Sequence, residues 1–215
     1  MIEQGTRFIG FSPRVDLSER KTANSNSETE PYTIDDIRGY KLFSAIITQS
    51  NGDDPMNINE GMLQKGVTYT VIGTGDGNED FSNVGLPILY DGAIFIATES
   101  ADPINWDGAV LQYNAGAPVA NIIENTIGNV WFRYEEKSHY TIVSDSLFTA
   151  EKTLLNTYNP YYIPYAPERF TKIYTDYNDE GHIALNSKIV DSSNSILDEI
   201  DGLINNFLIE IRVYA

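Results

Sequence analysis

Cysteine is absent from this sequence, histidine and tryptophan occur twice each, and the 14 basic residues are outnumbered by 31 acidic ones. Without thiols there can be neither a disulfide framework nor a thiolate metal site. His139 and His182 lie far apart, with no Glu-x-x-His or His-x-x-x-His pairing, so a nitrogen-ligated zinc is not expected. A hydrolytic triad would need one of them, yet no Gly-x-Ser-x-Gly elbow occurs. The formal charge of −17 repels phosphate backbones and anionic lipid headgroups, which sets aside nucleic acid and membrane surfaces as partners. No apolar run approaches the ~18 residues of a membrane span. The opening "MIEQGTRFIGFSPRVD" has no basic stretch followed by an apolar core, so neither a signal peptide nor a membrane anchor is expected.

What is present is enough to fold. The 215 residues are 41% hydrophobic and 12% aromatic, above the composition of a disordered chain and long enough for one domain or two small ones. Residues 12–38 are polar and lack sustained periodicity, which reads as an extended arm or as a loose terminal tail. "YKLFSAIIT" (40–48) is a short apolar run with the aromatic and Ile content of a buried strand. In "GVTYTVIG" (66–73), Val67, Tyr69 and Val71 alternate with threonines, all strand formers. The stretches that follow, "ILYDGAIFIATES" and "INWDGAVLQY", are punctuated by Asp91-Gly92 and Asp107-Gly108, turn pairs tolerant of positive φ.

The spacing therefore predicts a compact β-subdomain set into a surface loop of a parent domain. The loop opens after "IITQSNGDD", and "NAGAPVANIIENTIG" (114–128) continues it. The parent resumes with "VWFRYE", where Val130, Phe132 and Tyr134 share one face of a half-buried strand, and with "HYTIVSD". From Ile189 a heptad reading places Ile189, Ile196 and Leu203 on one seam and Ser193, Ile200 and Phe207 on the other, predicting a short helix with an apolar stripe. That stripe would dock on the chain's own β-domain or pair copies of the chain. "FLIEIRVYA" alternates as a final strand.

The expected fold class is mainly β: a small antiparallel β-sandwich-like domain, a second β-subdomain inserted in one loop, an extended N-terminal arm, and a short C-terminal helix plus strand. The divisions are 1–39 for the arm, 40–56 with 114–156 for the parent, 57–113 for the insert, and 157–215 for a Tyr-rich connector, the helix and the terminal strand.

Candidate chemistry is sparse. Asp176, Asn178, Glu180 and Gly181 occupy positions of a calcium loop whose twelfth residue is Ser187 instead of the required Glu, so an acidic turn explains them better. Asp76, Asn78 and Asp80 offer oxygen ligands, although turn chemistry accounts for the same residues. "GTGDG" (73–77) has neither a following helix nor a Lys to cradle a phosphate and reads as a hairpin turn. No catalytic residue, cofactor or metal is expected. Tyr90, Trp106, Tyr113, Tyr161 and Tyr162 supply flat aromatic surfaces suited to recognising a cell surface or glycan, or to filling contacts between elements.

Several of these stretches carry a resemblance. "FSAIITQS" (43–50) with residues 117–156 resembles a β-domain common in structural proteins of tailed bacteriophages, especially crAss-like phages, and the inserted "GVTYTVIGTGDGNEDFSNVG" with "GAIFIATESADPINWDGAVLQY" resembles a second phage module often found beside it. Residues 6–37 and 205–215 look like segments flanking such modules in head-fibre proteins. The resemblance implies a virion structural protein without enzymatic activity, a head fibre or capsid decoration component, with a tail component or a glycan-binding appendage as alternatives. Self-association is expected through the stripe of Ile189, Ile196, Ile200, Leu203 and Phe207, and the resemblance implies a homotrimer, with a dimer as the alternative. Attachment to the capsid is expected through the arm, where Arg14, Arg20 and Lys21 give the acidic body a locally less negative end and Phe8 and Phe11 serve as apolar anchors.

Overall fold

The computed structural model describes residues 38–50, 52, 54–158, 169–191 and 193–215. The chain is mainly β, with thirteen strands in three antiparallel sheets among the described residues. In chain order they are β1 (Tyr40–Thr48), β2 (Pro55–Ile58), β3 (Thr68–Gly73), β4 (Ile94–Ile96), β5 (Val110–Asn114), β6 (Val119–Asn125) and β7 (Val130–Glu136). Then follow β8 (His139–Ser144), β9 (Thr153–Tyr158), β10 (Arg169–Asp179), β11 (His182–Asp191), β12 (Ile196–Asp198) and β13 (Phe207–Tyr214).

The first sheet has the order β6-β1-β13-β9 and the second β10-β11-β8-β7, with β12 alongside β11. Strand β1 is central, and its register shows why. Phe43 lies opposite Ile211, Ala45 opposite Ile209 and Ile47 opposite Phe207, so every inward residue of β1 faces an inward residue of β13. A slip of one position would turn all six to the other face. These side chains meet Val130, Phe132, Tyr140, Ile142, Ile183 and Leu185 of the second sheet in one buried cluster, with the rings of Phe43 and Phe132 centred 6.1 Å apart. Two sheets closed over such a layer form a β-sandwich.

Between β1 and β6 the chain builds the third sheet, order β2-β5-β3-β4, over its own apolar cluster of Leu63, Tyr69, Val71, Phe81, Val84, Phe95 and Leu111. The turn at Trp106–Ala109 is closed by Ala109 N–H on the Trp106 carbonyl at 2.7 Å, with Asp107 and Gly108 both at positive φ. That is the conformation the Asp-Gly pair favours.

The inserted sheet is fastened to the sandwich at both ends of its run. Gln49, 3% exposed, directly follows β1, and its Nε2 donates to the carbonyls of Ser50 and, at 3.1 Å, of Gly116, where the chain returns. Its Oε1 accepts the Gly202 N–H, and its own backbone N–H donates to the Ile204 carbonyl at 2.8 Å. Gly116 is required by closeness: a Cβ there would lie 1.7 Å from the Gly52 carbonyl oxygen. Farther out, Ala120 of β6 donates to the Gly66 carbonyl at 2.9 Å, and a Cβ on Gly66, at φ +85, would meet the Ala120 oxygen at 2.5 Å.

Three expectations are corrected. Residues 114–128 are not a plain loop: they contain β6, paired directly with β1 from Phe43↔Asn125 to Thr48↔Val119, which its Val and Ile content favours. Residues 73–77 close no hairpin, because β3 pairs with β4 and β5, reached only after long excursions; instead Asp76 and Asn78 donate their N–H groups to Asp107. There is no C-terminal helix among the described residues. Ile189 belongs to β11, and the Asp191 carboxylate then accepts the N–H groups of Ser193 (2.9 Å) and Ser195 (2.8 Å), turning the chain through Asn194 at φ +65 into β12. Asp, Ser and Asn stabilise such turns more than helix interiors, and the β-branched isoleucines favour strands. The terminal strand is present as β13.

Replacing Gln49 by Ala should lower stability by about 1–3 kcal/mol, because the buried Gly116 carbonyl and the Gly202 N–H lose their partner. Gly116→Ala should cost about 1–3 kcal/mol by forcing the two crossings of the junction apart. Urea unfolding checks both, with a reduced midpoint at unchanged slope as the expected result.

Candidate functional site

Strand β7 is an edge of the second sheet, and its open side faces the inserted sheet. The Phe132 N–H does not wait for a partner strand: it donates to Thr68 Oγ1 of β3 at 3.3 Å. Beside this contact lies a cleft of about 250 Å³, bounded by Thr68, Thr70, Gln112, Tyr113 and Asn114 of the inserted sheet and by Trp131, Phe132, Arg133 and Tyr134 of β7. Pro55, Ile94 and Ala117 complete it.

The inserted sheet presents a row of polar side chains there. Thr70 of β3 is directly opposite Gln112 of β5, and Gln112 is opposite Asn57 of β2, so the three share one face. Gln112 Nε2 donates to Asn57 Oδ1 at 3.1 Å, which fixes the carboxamide. Tyr113 packs its ring against Tyr69, centroids 5.5 Å apart, while its hydroxyl meets Met56 Sδ at 3.3 Å. On the β7 wall Trp131 is 8% exposed and its buried Nε1–H has no acceptor. Arg133 is half exposed and sits 3.8 Å from Glu135, a loose pair in water.

Behind the β7 wall a carboxylate holds two tyrosines. Asp201, in the loop ahead of β13, accepts the Tyr134 hydroxyl at 3.0 Å through Oδ2, and through Oδ1 the Tyr140 hydroxyl and the Ser138 N–H, each at 2.9 Å. Ser138 is fully buried at φ +67, and its hydroxyl donates to the Ile200 carbonyl at 3.1 Å. Burial first, and the adjacent Asp201 second, push the Tyr140 hydroxyl far above its ordinary titration range, so it stays a donor. The position of Tyr134 in the cleft is thus fixed by a loop remote in sequence.

The sequence-predicted residues fall in different places. Tyr113 lines the cleft; Tyr90 is exposed on the turn before β4; Trp106 is half-buried, its ring edge-on to Phe81 at 5.1 Å. These three form no single aromatic surface with one another in the ring contacts of the inserted sheet. Tyr161, Tyr162, Phe8, Phe11, Arg14, Arg20 and Lys21 lie outside the described residues. The five residues of the expected stripe are dispersed: Ile196 is exposed on β12, Ile189, Ile200 and Leu203 are half-buried, and Phe207 is inside the sandwich core.

The acidic turns serve the backbone. Asp80 Oδ1 accepts the Ser82 hydroxyl at 2.6 Å and its N–H at 3.0 Å, which holds its carboxyl below the usual carboxylate range. Residues 176–187 are the β10–β11 hairpin, where Asp179 Oδ1 lies 2.8 Å from both Gly181 N and His182 Nδ1. The hydrogen bond with His182 is the main reason its carboxyl is lowered. Among the described residues no three His, Asp or Glu side chains are grouped to hold a metal ion. What the cleft can do is bind, by hydrogen bonding and ring contact.

Sequence reasoning missed Trp131, Arg133, Thr70 and Gln112. One signal was available: in "VWFRYE" the outward position after Val130 is a tryptophan, where a half-exposed strand normally carries a polar residue. Asp201→Ala should remove the acceptor of three donors, two of them on buried or half-buried tyrosines, and destabilise the fold by about 2–4 kcal/mol. Tyr134→Phe should cost about 1 kcal/mol. Denaturant unfolding of both variants checks the ranking.

No family model, no curated protein and no solved structure matches this chain.

Proposed function

We propose that the chain is a structural protein of a tailed-bacteriophage virion, a head fibre or capsid decoration component that acts by protein–protein assembly and has no catalytic role. The resemblance of residues 43–50 and 117–156, and of the inserted module, to phage structural modules is the sequence support for this reading.

The observation that carries it on the molecule is where large apolar side chains stand in solvent. Met62 (63%), Ile88 (71%), Tyr90 (61%) and Ile104 (64%) all project from loops of the inserted sheet. Those loops are well built: Leu63 N–H donates to Ala101 at 2.9 Å, Ala93 N–H to Tyr90 at 3.0 Å, and Asn83 Nδ2 to the Asp102 carbonyl at 2.8 Å. Apolar side chains held outward by ordered turns suit contact with another protein surface. The dispersal of the C-terminal stripe leaves Ile196, with its exposed neighbour Leu197, as the part of the expected self-association surface that faces outward. In this reading residues 1–39 supply capsid attachment, copies of the chain associate as a trimer or a dimer, and the inserted sheet meets a neighbouring virion protein.

Antibody raised to the chain should label intact virions at the head, and the full chain should decorate purified capsids. Ile88→Asp combined with Ile104→Asp should leave the circular dichroism spectrum unchanged and reduce association, measured by light scattering of the protein alone and by co-sedimentation with capsids. Unlabelled virions together with a monomer indifferent to capsids would overturn the assignment.

A further inference from the structure

We infer that the cleft between β7 and the inserted sheet is a binding site for a single saccharide residue, with a carboxylate-bearing sugar preferred. This goes beyond the assembly role above and does not depend on it.

The first argument is charge. The chain carries 31 acidic residues, yet none of the residues lining the cleft is Asp or Glu, and the charged one among them is Arg133. An acid-free recess in a body of charge −17 is the place on this wall where a hydroxyl-rich or anionic ligand meets least repulsion. Arg133 is held by Glu135 at only 3.8 Å and is half exposed, so a ligand carboxylate can take a better-formed pair with the guanidinium.

The second argument is the donor and acceptor set. Thr70 and Gln112 project side by side, and the hydrogen bond from Gln112 Nε2 to Asn57 fixes the amide plane, leaving its Oε1 as an oriented acceptor. Hydroxyl groups of a sugar both donate and accept, and a row of hydroxyl and amide side chains answers both. Trp131 borders the cleft, so its indole ring reports on what enters there.

Size and edge chemistry narrow the class. About 250 Å³ lies just below the range of drug-sized pockets and admits one ring, not a folded peptide. An extended peptide adding to β7 would need the Phe132 N–H, which Thr68 already holds at 3.3 Å.

The two tryptophans make the test direct, since the ¹⁵N-labelled full chain has two indole N–H resonances and Trp131→Phe identifies one of them. Glucuronic acid and glucose are titrated separately at millimolar concentrations, with acetate as the anion control. The expected result is a saturable shift of the Trp131 resonance with both sugars, a stationary Trp106 resonance, and roughly tenfold tighter binding of glucuronic acid that Arg133→Gln abolishes while glucose binding persists. Arg133 is on the surface, and the dispersed amide spectrum of that variant reports its folding. The inference fails if neither sugar moves the Trp131 resonance, if both indole resonances move together, or if acetate alone reproduces the shift.

Discussion

A chain that leaves a strand, builds a separate sheet and then returns to pair with the strand it left must bring its two crossings together at the width of a ladder. Here that closure is made by the side chain of Gln49. Its carboxamide, almost fully buried, bonds the outgoing chain at Ser50, the returning chain at Gly116 and the loop ahead of β13 at Gly202. Of those backbone groups the Gly116 carbonyl is the buried one, and leaving it without a partner away from water would cost about 1–3 kcal/mol. The glycine at 116 lets the two crossings touch, and β6 can then lie against β1 in register.

The two apolar clusters follow from that closure. Alternate residues of β1 and β13 fill the sandwich, while Tyr69, Val71 and Leu111 fill the inserted sheet. The clusters are not strangers to one another: Ile96 of β4 packs against the sandwich core, and Val119 of β6 against the inserted one. Two ordered sheets meeting along an edge strand leave a recess wherever their side chains do not interlock, and the cleft beside Phe132 is that recess. Asp201 then stiffens its wall through Tyr134 from the opposite side of β7.

Much of the strand layout is legible in the sequence, because a half-buried strand announces itself by period-two alternation. "YKLFSAIIT", "TYTVIG", "VWFRYEE", "HYTIVS" and "FLIEIRVY" all became strands, and mainly-β is the fold. The failures have a common physical cause. In β6 the sequence Asn-Ile-Ile-Glu-Asn does not alternate, since its pairing with β1 shifts register between Ser44 and Ala45. From Ile189 onward the isoleucines recur at intervals that mimic a heptad, but the Asp191 turn reverses the chain between them, and spacing along a sequence has no meaning across a reversal. The cleft was unreadable for a related reason: Gln112 and Trp131 sit on different sheets, and long-range ties such as the junction at Gln49 and the bond from Phe132 to Thr68 bring their neighbourhoods together.

The central place of β1 also settles how this body responds to mechanical load. Strand β1 runs from Tyr40 at one end of the sandwich to Thr48 at the other, where the inserted sheet begins, and it is bonded along its length to β13 on one side and β6 on the other. A pull between residue 38 and the inserted sheet is therefore directed along β1, in shear, so that ladder bonds on both flanks resist together. A pull between residue 38 and the C-terminus acts differently, because Tyr40 lies opposite Tyr214 at the same end. It peels β1 from β13 one pair at a time, starting at the tilted ring pair of Tyr40 and Tyr214, 5.3 Å apart. The fold is strong along one axis and weak along another, and the tether point decides which is felt.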